Sequence, residues 1–522
     1  MSFIIKILEP RFSVLLLKMA SGIALLGSVA LILWFWRGGI PSGNTSGVWA
    51  ALANDFAEGV FYRPVFDDTG YGGTRYMPLF FVLYGILISY FNDPVLSGLL
   101  LSLSTIVFLD WGSYVLLRQL GIKKNFALAF TFLVHASIAF QLLTLEFRGD
   151  FLAAGLNVWG IVFALKHLRT NSRGHLTLSA VFFTGAIFTK FTTIGGLVTI
   201  AFLFLIQKKK SSAITLTGLT AVTTLGLLFG VNEWSHGKAL ASFQACALGG
   251  FNLTYALKTP LWFLTVIVQD PFFLALLGLA IYLVTMTLTA QCKSFITLYF
   301  CFTLVSTFLI FSSPGTDSNH LIDLLIACIL VTASQFQTNQ KFSSAYNLYF
   351  LFTVIGILFM WIPGTLSIKD HIESVGRPTR TTIQTLAEKL GPENKNILSE
   401  NPLVPLLMGQ RPFVLDAFSL RLLAQKSPVV HEDFIRRLKD QFFEAIILLD
   451  WSGAPLDQLE DAMEKHSSLG VDRFYGEVHF PPGFLDLMKK HYALSFVERP
   501  FVIYKPKKMP PNQNIKISIE NN

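Results

Sequence analysis

Long apolar runs separated by short polar connectors make up the first two thirds of the chain. A helix needs about 17–25 mostly apolar residues to cross a bilayer, and eleven runs reach or approach that length. They lie at 14–36, 95–118, 126–145, 151–167, 176–190, 192–207, 212–231, 261–288, 294–311, 320–337 and 346–363. The pattern predicts an all-α polytopic membrane domain with about eleven spans.

One further apolar segment, 77–91, is only about 15 residues long, which is short for a span. Its placement decides the topology, because Lys and Arg in short loops stay on the cytoplasmic side. If 77–91 lies in the membrane interface, the basic connectors 118–124, 166–173 and 208–210 all fall on the same side as the N-terminus. If it crossed, all three would move to the opposite side. We therefore predict an interfacial helix at 77–91 and a cytoplasmic N-terminus.

The same topology brings several polar segments together on the extracytoplasmic face. They are 37–94, 146–150, 189–190, 232–260 and 312–320, followed by everything after residue 363. A functional site built from several loops is expected at that face.

The composition changes at about residue 367 to a mixed, charged pattern. Short β-rich runs (396–398, 412–415, 445–449 and 501–504) alternate with helix-like stretches (381–390, 432–443, 455–466 and 482–491). This alternation is typical of a small α/β domain. We predict a membrane domain at 1–366 with an outer loop at 37–94, an extracytoplasmic α/β domain at 367–508 and a disordered tail at 509–522.

Overall composition agrees with a membrane protein. The 522 residues are 52% hydrophobic and 14% charged, against about 25% charged in soluble proteins. The net charge of +8 resides in Lys and Arg, many of them in connectors where they set orientation, so nucleic acid is not an expected partner. The four cysteines are scattered, with no CxxC pair and no histidine at ligand spacing, so they indicate no metal site.

Three ionisable side chains in five residues lie between two apolar runs in the segment Glu146-Phe147-Arg148-Gly149-Asp150. Asp150 begins a predicted span, and a carboxylate at a helix N-terminus is favoured by about 0.3–1 kcal/mol, which is a sufficient structural reason for it. Arg148 has no such reason. Its guanidinium at the outer face suits bidentate binding of a phosphate or carboxylate.

Two other outer connectors add candidates. Lys190 lies in an otherwise apolar turn, where it either extends its amine to the membrane surface or binds an anion. Asp317, Asn319 and His320 precede a span that also carries Asp323. A carboxylate within a span costs about 2.5–3.5 kcal/mol at full depth, so Asp323 is expected to face a cavity or a partner.

The outer loop 37–94 combines carboxylates, arginine and aromatic side chains with several glycines. Its candidates are Asp55, Asp67, Asp68, Arg75 and Tyr76. Loops run over the protein surface by default, so a solvated role is the alternative for each of them. Asp55 and Arg75 adjoin apolar elements that can hold them in place.

Taken in order, these segments resemble the GT-C superfamily of polytopic glycosyltransferases that use polyprenyl-phosphate-linked sugars, among them mannosyltransferases and aminoarabinose transferases. The resemblance covers most of 14–363. It rests on Asp55-Phe56-Ala57-Glu58-Gly59, Tyr62-Arg63-Pro64, Gly73-Thr74-Arg75-Tyr76-Met77-Pro78-Leu79, Arg148-Gly149-Asp150, Thr189-Lys190-Phe191 and Ser318-Asn319-His320.

The sequence departs from the superfamily in one place. Many members carry an acidic residue soon after the first span, about ten residues before the stretch that Ala57-Glu58-Gly59 resembles, as a catalytic base or metal ligand. Here that region reads Ser42-Gly43-Asn44-Thr45-Ser46, with no carboxylate. A base must then come from Asp55, Asp67, Asp68 or Asp150, or else the chain lacks the usual activity.

The resemblance implies an enzyme that transfers a sugar from a polyprenyl-phosphate donor at the extracytoplasmic face. Asp55 or Asp150 would act as base, while Arg75, Arg148, Lys190, Asn319 and His320 would bind the phosphate. No cofactor is implied with certainty, although a divalent cation is possible in such enzymes, and the expected partners are the lipid-linked donor and membrane lipids. The alternatives are a transporter or flippase of a lipid-linked or anionic substrate, and a non-catalytic membrane scaffold.

Overall fold

The computed structural model describes residues 10–507, apart from 247–252, 292–293, 314–315, 339–361, 392–395 and most of 451–473. The described membrane part is helical. Its α-helices are Pro10–Trp36, Asn44–Ala57, Pro78–Phe91, Pro94–Gln119, Lys124–Leu133, Ile138–Leu143, Asp150–Thr170, Arg173–Thr189, Gly195–Ile206, Lys210–Trp234, Lys238–Cys246, Leu253–Val268, Pro271–Gln291, Phe295–Phe311 and Ile322–Thr338. Short 3₁₀ helices occupy Val134–Ala136 and Ser318–Leu321.

Five of these segments are long and apolar enough to cross a membrane. They are Val14–Trp36, Pro94–Gln119, Asp150–Thr170, Lys210–Trp234 and Ser318–Phe336. Several other predicted spans correspond to apolar helices of 17 residues or fewer. The helical, multi-pass architecture is confirmed, whereas the number of about eleven spans stays a prediction.

Two predicted runs are not single helices. The run 126–145 is divided into Lys124–Leu133, the 3₁₀ turn and Ile138–Leu143. Within it, the Ser137 hydroxyl caps the last helix by accepting a hydrogen bond from the Phe140 amide. The run 261–288 is interrupted before Pro271, which cannot donate a backbone hydrogen bond. The run 346–363 lies almost wholly outside the described residues.

The Lys210–Trp234 helix exposes a large apolar surface. Only 17% of its most apolar window is buried in the protein, and Ile214, Val222, Leu225 and Phe229 are each at least 65% exposed. A helix that exposes large apolar side chains on most of its surface is stable in a bilayer, where hydrocarbon replaces the missing protein contacts.

Intramembrane polar groups are paired in the helical core. His135 Nε2 lies 3.1 Å from Asp110 Oδ2, and the Ser137 hydroxyl donates to Asp270 Oδ2 at 2.6 Å. The cost of placing such groups in hydrocarbon is offset by these contacts. Asp110 therefore has the structural partner that its position within an apolar span requires.

After the membrane helices, residues 362–375 are helical across the predicted domain boundary. The C-terminal helices are Arg380–Leu390, Leu403–Leu407, Ala417–Lys426, Pro428–Lys439, Phe474–Glu477 and Phe484–His491. Four strands, β1 (Ile397–Ser399), β2 (Ala445–Leu449), β3 (Tyr492–Glu498) and β4 (Phe501–Pro506), form one sheet in the order β1-β2-β4-β3. The first two are parallel, and the remaining pairs are antiparallel.

The sheet confirms the predicted α/β character with two differences. Segment 412–415 makes only a single bridge, between Val414 and Tyr71 of the outer loop, and is not a strand of the sheet. β3 was not predicted, because this edge strand shows no alternation of buried and exposed residues along its length. The tail 509–522 lies outside the described residues.

The C-terminal part packs directly on the outer loop. The Tyr71 hydroxyl donates to Asp433 Oδ2 at 2.7 Å, and Arg380 bonds both oxygens of Asp93 at 2.6 Å. Asn401 Nδ2 donates to the carbonyl of Ser42 at 2.8 Å. The α/β part therefore lies against the same face of the membrane helices as segments 37–94 and 146–150.

Candidate functional site

Asp150 is the centre of the polar cluster at this face. Its Oδ1 lies 2.5 Å from Lys190 Nζ and accepts a hydrogen bond from Asn319 Nδ2 at 2.8 Å. Its Oδ2 lies 3.2 Å from Arg148 Nε. Asp150 is only 7% exposed, so one buried carboxylate binds two cations and an amide.

A helix start, a helix end and a 3₁₀ turn bring these groups together. Asp150 is the first residue of the Asp150–Thr170 helix. Lys190 caps the end of Arg173–Thr189, where an extended backbone (φ −150°, ψ 110°) stops the helix and turns the amine toward Asp150. Asn319 lies in the Ser318–Leu321 turn, which Asp317 caps by accepting a hydrogen bond from the Ser318 amide at 2.6 Å. The Asp150 carboxylate thus contacts Lys190 and Asn319, which lie 40 and 169 residues further along the chain.

A narrow cavity opens beside this cluster. It encloses about 430 Å³ between atoms, its open mouth included, and Asp150, Lys190, His320 and Asp323 line it together with Thr192, Thr193, Thr303, Ser306 and Thr307. Asp323 accepts a hydrogen bond from Asn157 Nδ2 at 3.0 Å. Asp323 has both the cavity and the partner that its position in an apolar helix led us to expect.

Arg148 is held by charge more than by directed hydrogen bonds. Its Nε is buried and has no hydrogen bond of good geometry to any described residue, although Asp150 is within ion-pair distance. Asp150, Asp317 and Glu146 raise the pKa of Arg148 against the opposing effect of burial. The guanidinium therefore stays charged and keeps donors that an anion can use.

Glu146 contacts the outer loop. Its carboxylate accepts a hydrogen bond from the Ser46 hydroxyl, and Ser46 in turn accepts one from the Phe147 amide at 2.9 Å. A Cβ built on Gly43 would lie 2.5 Å from Glu146 Oε1. Segment 42–46, which has no carboxylate of its own, is thus in contact with the carboxylate of Glu146. Burial raises the pKa of Glu146, against the smaller opposing effects of Arg148 and Ser46.

The variant Glu146→Gln is expected to become more stable relative to the native protein as the pH rises above about 4, where glutamate ordinarily titrates. With its pKa raised in the folded state, Glu146 contributes stability below its unfolded pKa, and this contribution is lost as the pH rises through its folded pKa. Glutamine does not titrate. The measurement is the difference in thermal midpoint between variant and native protein from pH 4 to pH 8. The exposed Glu58→Gln is the control, and a Glu146→Gln difference that is constant with pH would contradict the prediction.

Arg75 and Tyr76 approach the cluster from the outer loop. The Arg75 guanidinium lies 3.9 Å above the ring of Phe418 in the C-terminal part. The Tyr76 ring packs on Trp49 with 4.5 Å between centroids. Burial, followed by Asp416, raises the pKa of Tyr76, while Arg75 and Arg148 oppose that rise. His320 lies within electrostatic range of Lys190, Asp150, Arg148 and Arg75. The charges of all four residues therefore act on the His320 imidazole.

Asp55 has a different environment from Asp150. Arg63 Nε and Nη2 lie 2.5 and 2.9 Å from its two oxygens, and Arg411 Nε lies 3.6 Å from Oδ1. Arg63 also donates to the carbonyl of Pro412 at 2.7 Å. Asp55 is 3% exposed, and its oxygens are used in fastening the outer loop to the C-terminal part.

The remaining loop candidates are peripheral. Asp67 accepts hydrogen bonds from the Thr69 amide and hydroxyl in a tight turn, at 2.8 and 2.6 Å, and Asp68 is exposed beside it. Asp317 caps its turn but remains within electrostatic range of Arg148.

Within the described ranges of 10–507, no three side chains of His, Cys, Asp or Glu come together in a group that could hold a metal ion. Asp150, the most central carboxylate, already binds Lys190, Arg148 and Asn319.

Sequence reasoning missed two features of this face. Arg63 was one of many charges in the outer loop, and only its 2.5 Å contact distinguishes it. Glu400 and His479 of the C-terminal part also form a buried pair, 2.7 Å between Oε1 and Nδ1, which reaches Asn44 of the outer loop. Since 79 residues separate the pair, no local motif could have revealed it.

Solved membrane proteins with known lipid ligands share this architecture. The structure of ArnT from Cupriavidus metallidurans bound to undecaprenyl phosphate matches with a TM-score of 0.57 and 13% identity, over 92% of this chain and 97% of that one. The oligosaccharyltransferase of Archaeoglobus fulgidus, tethered to an acceptor peptide, matches with a TM-score of 0.55 and 12% identity, over 91% of this chain and 72% of that one. The same archaeal enzyme, AglB, in complex with an inhibitory peptide and a dolichol-phosphate matches with a TM-score of 0.54 and 12% identity, over 95% and 75%.

The chain shares the fold of these solved structures. The fold suspected from short motifs is confirmed by solved structures that match along more than nine tenths of the chain. No family model and no curated protein matches the sequence. At 12–14% identity the likeness establishes architecture, and the function has to be argued from the site.

Proposed function

We propose that this protein is an integral-membrane glycosyltransferase that transfers a sugar from a polyprenyl-phosphate donor to an acceptor at the extracytoplasmic face. The observation that carries the proposal is the buried arrangement of Lys190 and Arg148 on Asp150 beside a cavity lined by Ser and Thr residues. This arrangement lies in a fold that ArnT and AglB also use, and their structures contain undecaprenyl phosphate and a dolichol-phosphate.

The electrostatics suit a phosphate. Two cations share one carboxylate, so the cluster of Asp150, Lys190 and Arg148 keeps a formal excess of one positive charge. In a partly buried site such an excess attracts an anion more strongly than it would in water. Arg75 and His320 lie within range of the same field and complete the proposed phosphate site.

In the proposed reaction an acceptor oxygen attacks the sugar C1, and the C1–O bond to the phosphate breaks with inversion. The electron pair of that bond leaves with the polyprenyl phosphate. Charge therefore develops on the phosphate oxygens, where fixed cations stabilise the transition state. Asn319 and Asp150 position Lys190 and Arg148 for this role.

Asp150 is better suited to orienting cations than to removing a proton. Its Oδ1 accepts from Lys190 and Asn319, and its Oδ2 is next to Arg148. Asp55 is likewise engaged by Arg63 through both oxygens. Both were predicted as candidate bases, and their surroundings favour structural and positioning roles in the proposed enzyme.

Label transfer tests the proposal. The purified full-length protein in lipid nanodiscs would be incubated with undecaprenyl-phosphate-linked radiolabelled hexoses and pentoses, together with a membrane extract from the source organism. We expect the label to move from the donor to a second molecule without any ion gradient. A transporter or flippase would move the donor across sealed vesicles without chemical change, and a scaffold would do neither. Absence of transfer with every donor would overturn the proposal.

A further inference from the structure

A buried carboxylate and imidazole lie at the carboxyl ends of the two parallel strands. Glu400 follows β1, and its Oε2 accepts hydrogen bonds from the Leu449 amide at the end of β2 (2.9 Å) and from the Tyr475 hydroxyl (2.8 Å). Its Oε1 lies 2.7 Å from His479 Nδ1. Glu400 is 0% exposed and His479 8%. In parallel α/β sheets the carboxyl ends of strands are the usual location for binding sites.

The orientation of this pair fixes the imidazole tautomer. An ionised carboxylate only accepts hydrogen bonds, so Nδ1 of His479 must be the donor. In the neutral imidazole Nε2 then carries a lone pair. That nitrogen faces Asn44 of the outer loop, 3.5 Å from Nδ2.

Asn44 has unused hydrogen-bonding capacity. Its Oδ1 is buried without a hydrogen-bond partner among the residues that the structure describes, and Asn44 is only 8% exposed. The contact with His479 is at the outer limit of hydrogen-bond length. Whichever way the amide is turned, one of its polar atoms lacks a partner. An orphaned buried amide next to an imidazole lone pair is the arrangement expected where a polar ligand completes the network.

The pair adjoins the proposed phosphate site. Asn44 and Ser46 belong to the first turn of the Asn44–Ala57 helix, and the Ser46 hydroxyl donates to Glu146. Glu146 lies within electrostatic range of Arg148 and Asp150. The first turn of this helix therefore lies between the His479 imidazole and the cluster of Asp150, Lys190 and Arg148. This turn belongs to the segment in which the sequence offers no carboxylate.

We propose that Asn44 binds the acceptor and that His479, oriented by Glu400, is the proton acceptor of the transfer reaction. This inference rests on the proposed glycosyltransferase function. The attacking hydroxyl donates its hydrogen to His479 Nε2, its oxygen forms the new bond to the sugar C1, and polyprenyl phosphate leaves with the electrons of the broken bond. The proton stays on Nε2, and Glu400 stabilises the imidazolium.

The orphaned amide oxygen also indicates the class of acceptor. Asn44 Oδ1 can accept only from a donor other than the attacking hydroxyl, whose single hydrogen goes to His479. The acceptor is therefore a molecule with a second hydroxyl or N–H group beside the reacting hydroxyl, as in a sugar with vicinal hydroxyls.

The surroundings of His479 determine how its role depends on pH. Glu400 contacts His479 directly, and the Tyr475 hydroxyl donates to Glu400. Asp450 and Tyr504 act on Tyr475 electrostatically. Asn44 faces His479 from the outer loop, and the Phe474 ring packs at 4.6 Å. Among the described residues named here, the titratable neighbours are carboxylates and phenols, whose ordinary pKa values lie outside the range where imidazoles titrate.

Kinetics of His479→Gln test the proposal. Glutamine can still donate to Glu400, but it cannot take up a proton. We expect kcat to fall by about 10²-fold at pH 7.5, in the range usual for general-base catalysis. In the native enzyme kcat/KM should rise with pH, because only a neutral imidazole can accept the proton, and this rise should be absent in the variant. Asn44→Ala should raise the acceptor KM more than it lowers kcat.

Matched variants separate a chemical role from a structural one. Tyr475→Phe removes one hydrogen bond to Glu400 but leaves the imidazole, so it should retain the rise of kcat/KM with pH. The exposed His371→Gln should retain both rate and pH profile. Binding of undecaprenyl phosphate to the full-length His479→Gln protein should be unchanged within about twofold, because the phosphate site lies across the helical turn.

The outcomes distinguish the two proposals. If the native protein transfers label and His479→Gln keeps the pH profile, with its rate changed by one constant factor, His479 is structural and this inference alone is overturned. If the native protein transfers no label from any donor, the proposed function fails and the inference fails with it. If His479→Gln loses the rise of kcat/KM with pH but still binds undecaprenyl phosphate, the result supports both the proposed function and the role of His479.

Discussion

Lys190→Ala is expected to lower kcat/KM for transfer from an undecaprenyl-phosphate-linked sugar by about 10²–10³-fold, the usual consequence of removing one fixed group that stabilises a transition-state charge. The amine of Lys190 lies 2.5 Å from Asp150 Oδ1. Its loss leaves Arg148 as the only charged partner of that carboxylate among the described residues, and removes the formal positive excess of the cluster of Asp150, Lys190 and Arg148. The measurement is the initial rate of label transfer at donor concentrations below KM.

The control for this variant is Lys210→Ala, which removes an exposed lysine from a connector predicted to lie on the cytoplasmic side. It should transfer at the native rate. Lys190→Arg keeps the charge and should recover part of the lost activity, although a guanidinium cannot reproduce the position of the amine. Native rates in Lys190→Ala would rule out a phosphate-binding role for this cluster.

Asp55→Ala is expected to lower the free energy of unfolding by about 3–5 kcal/mol, the usual cost of breaking a buried ion pair by removing one partner. Arg63 would keep its charge, with its side chain 7% exposed, and of its described partners would retain the Pro412 carbonyl but no carboxylate. The thermal midpoint in detergent should fall clearly. Asp68→Ala, which removes an exposed carboxylate of the neighbouring turn, should leave the midpoint unchanged.

Asp55→Asn separates this structural role from the catalytic role that the sequence suggested. Asparagine keeps the shape and can still accept from Arg63, but it cannot act as a base. A variant that folds with native stability yet has lost transfer would assign the base to Asp55 and remove the need for His479. A destabilised variant whose folded fraction still transfers supports the fastening role.

How much of the site the sequence could predict depends on how each residue is held. Arg148, Lys190, Asn319 and His320 were identified because charge and amide groups between apolar helices stand out against hydrocarbon. Loop charge then placed their segments on one face. The structure brings the first three to Asp150 and places His320 in the adjoining cavity.

Residues with structural partners were harder to assign. Asp55, Asp67 and Asp68 looked alike as loop carboxylates, yet one is buried against Arg63 and the others lie in a tight turn. The difference arises from where residues 411–412 of the C-terminal part pack, more than 340 positions along the chain. No local pattern contains that information.

The sequence by itself determined the helical membrane architecture and the small C-terminal α/β part, because hydrophobic length and periodicity reflect the solvent that each segment must face. It also predicted which polar segments share a face. Only the tertiary structure decided that Asp150 binds both cations, that Asp55 is fastened by Arg63, and that Glu400 and His479 reach Asn44. These contacts join side chains of distant segments, and their partners are set by the packing of whole helices and strands rather than by any spacing along the chain.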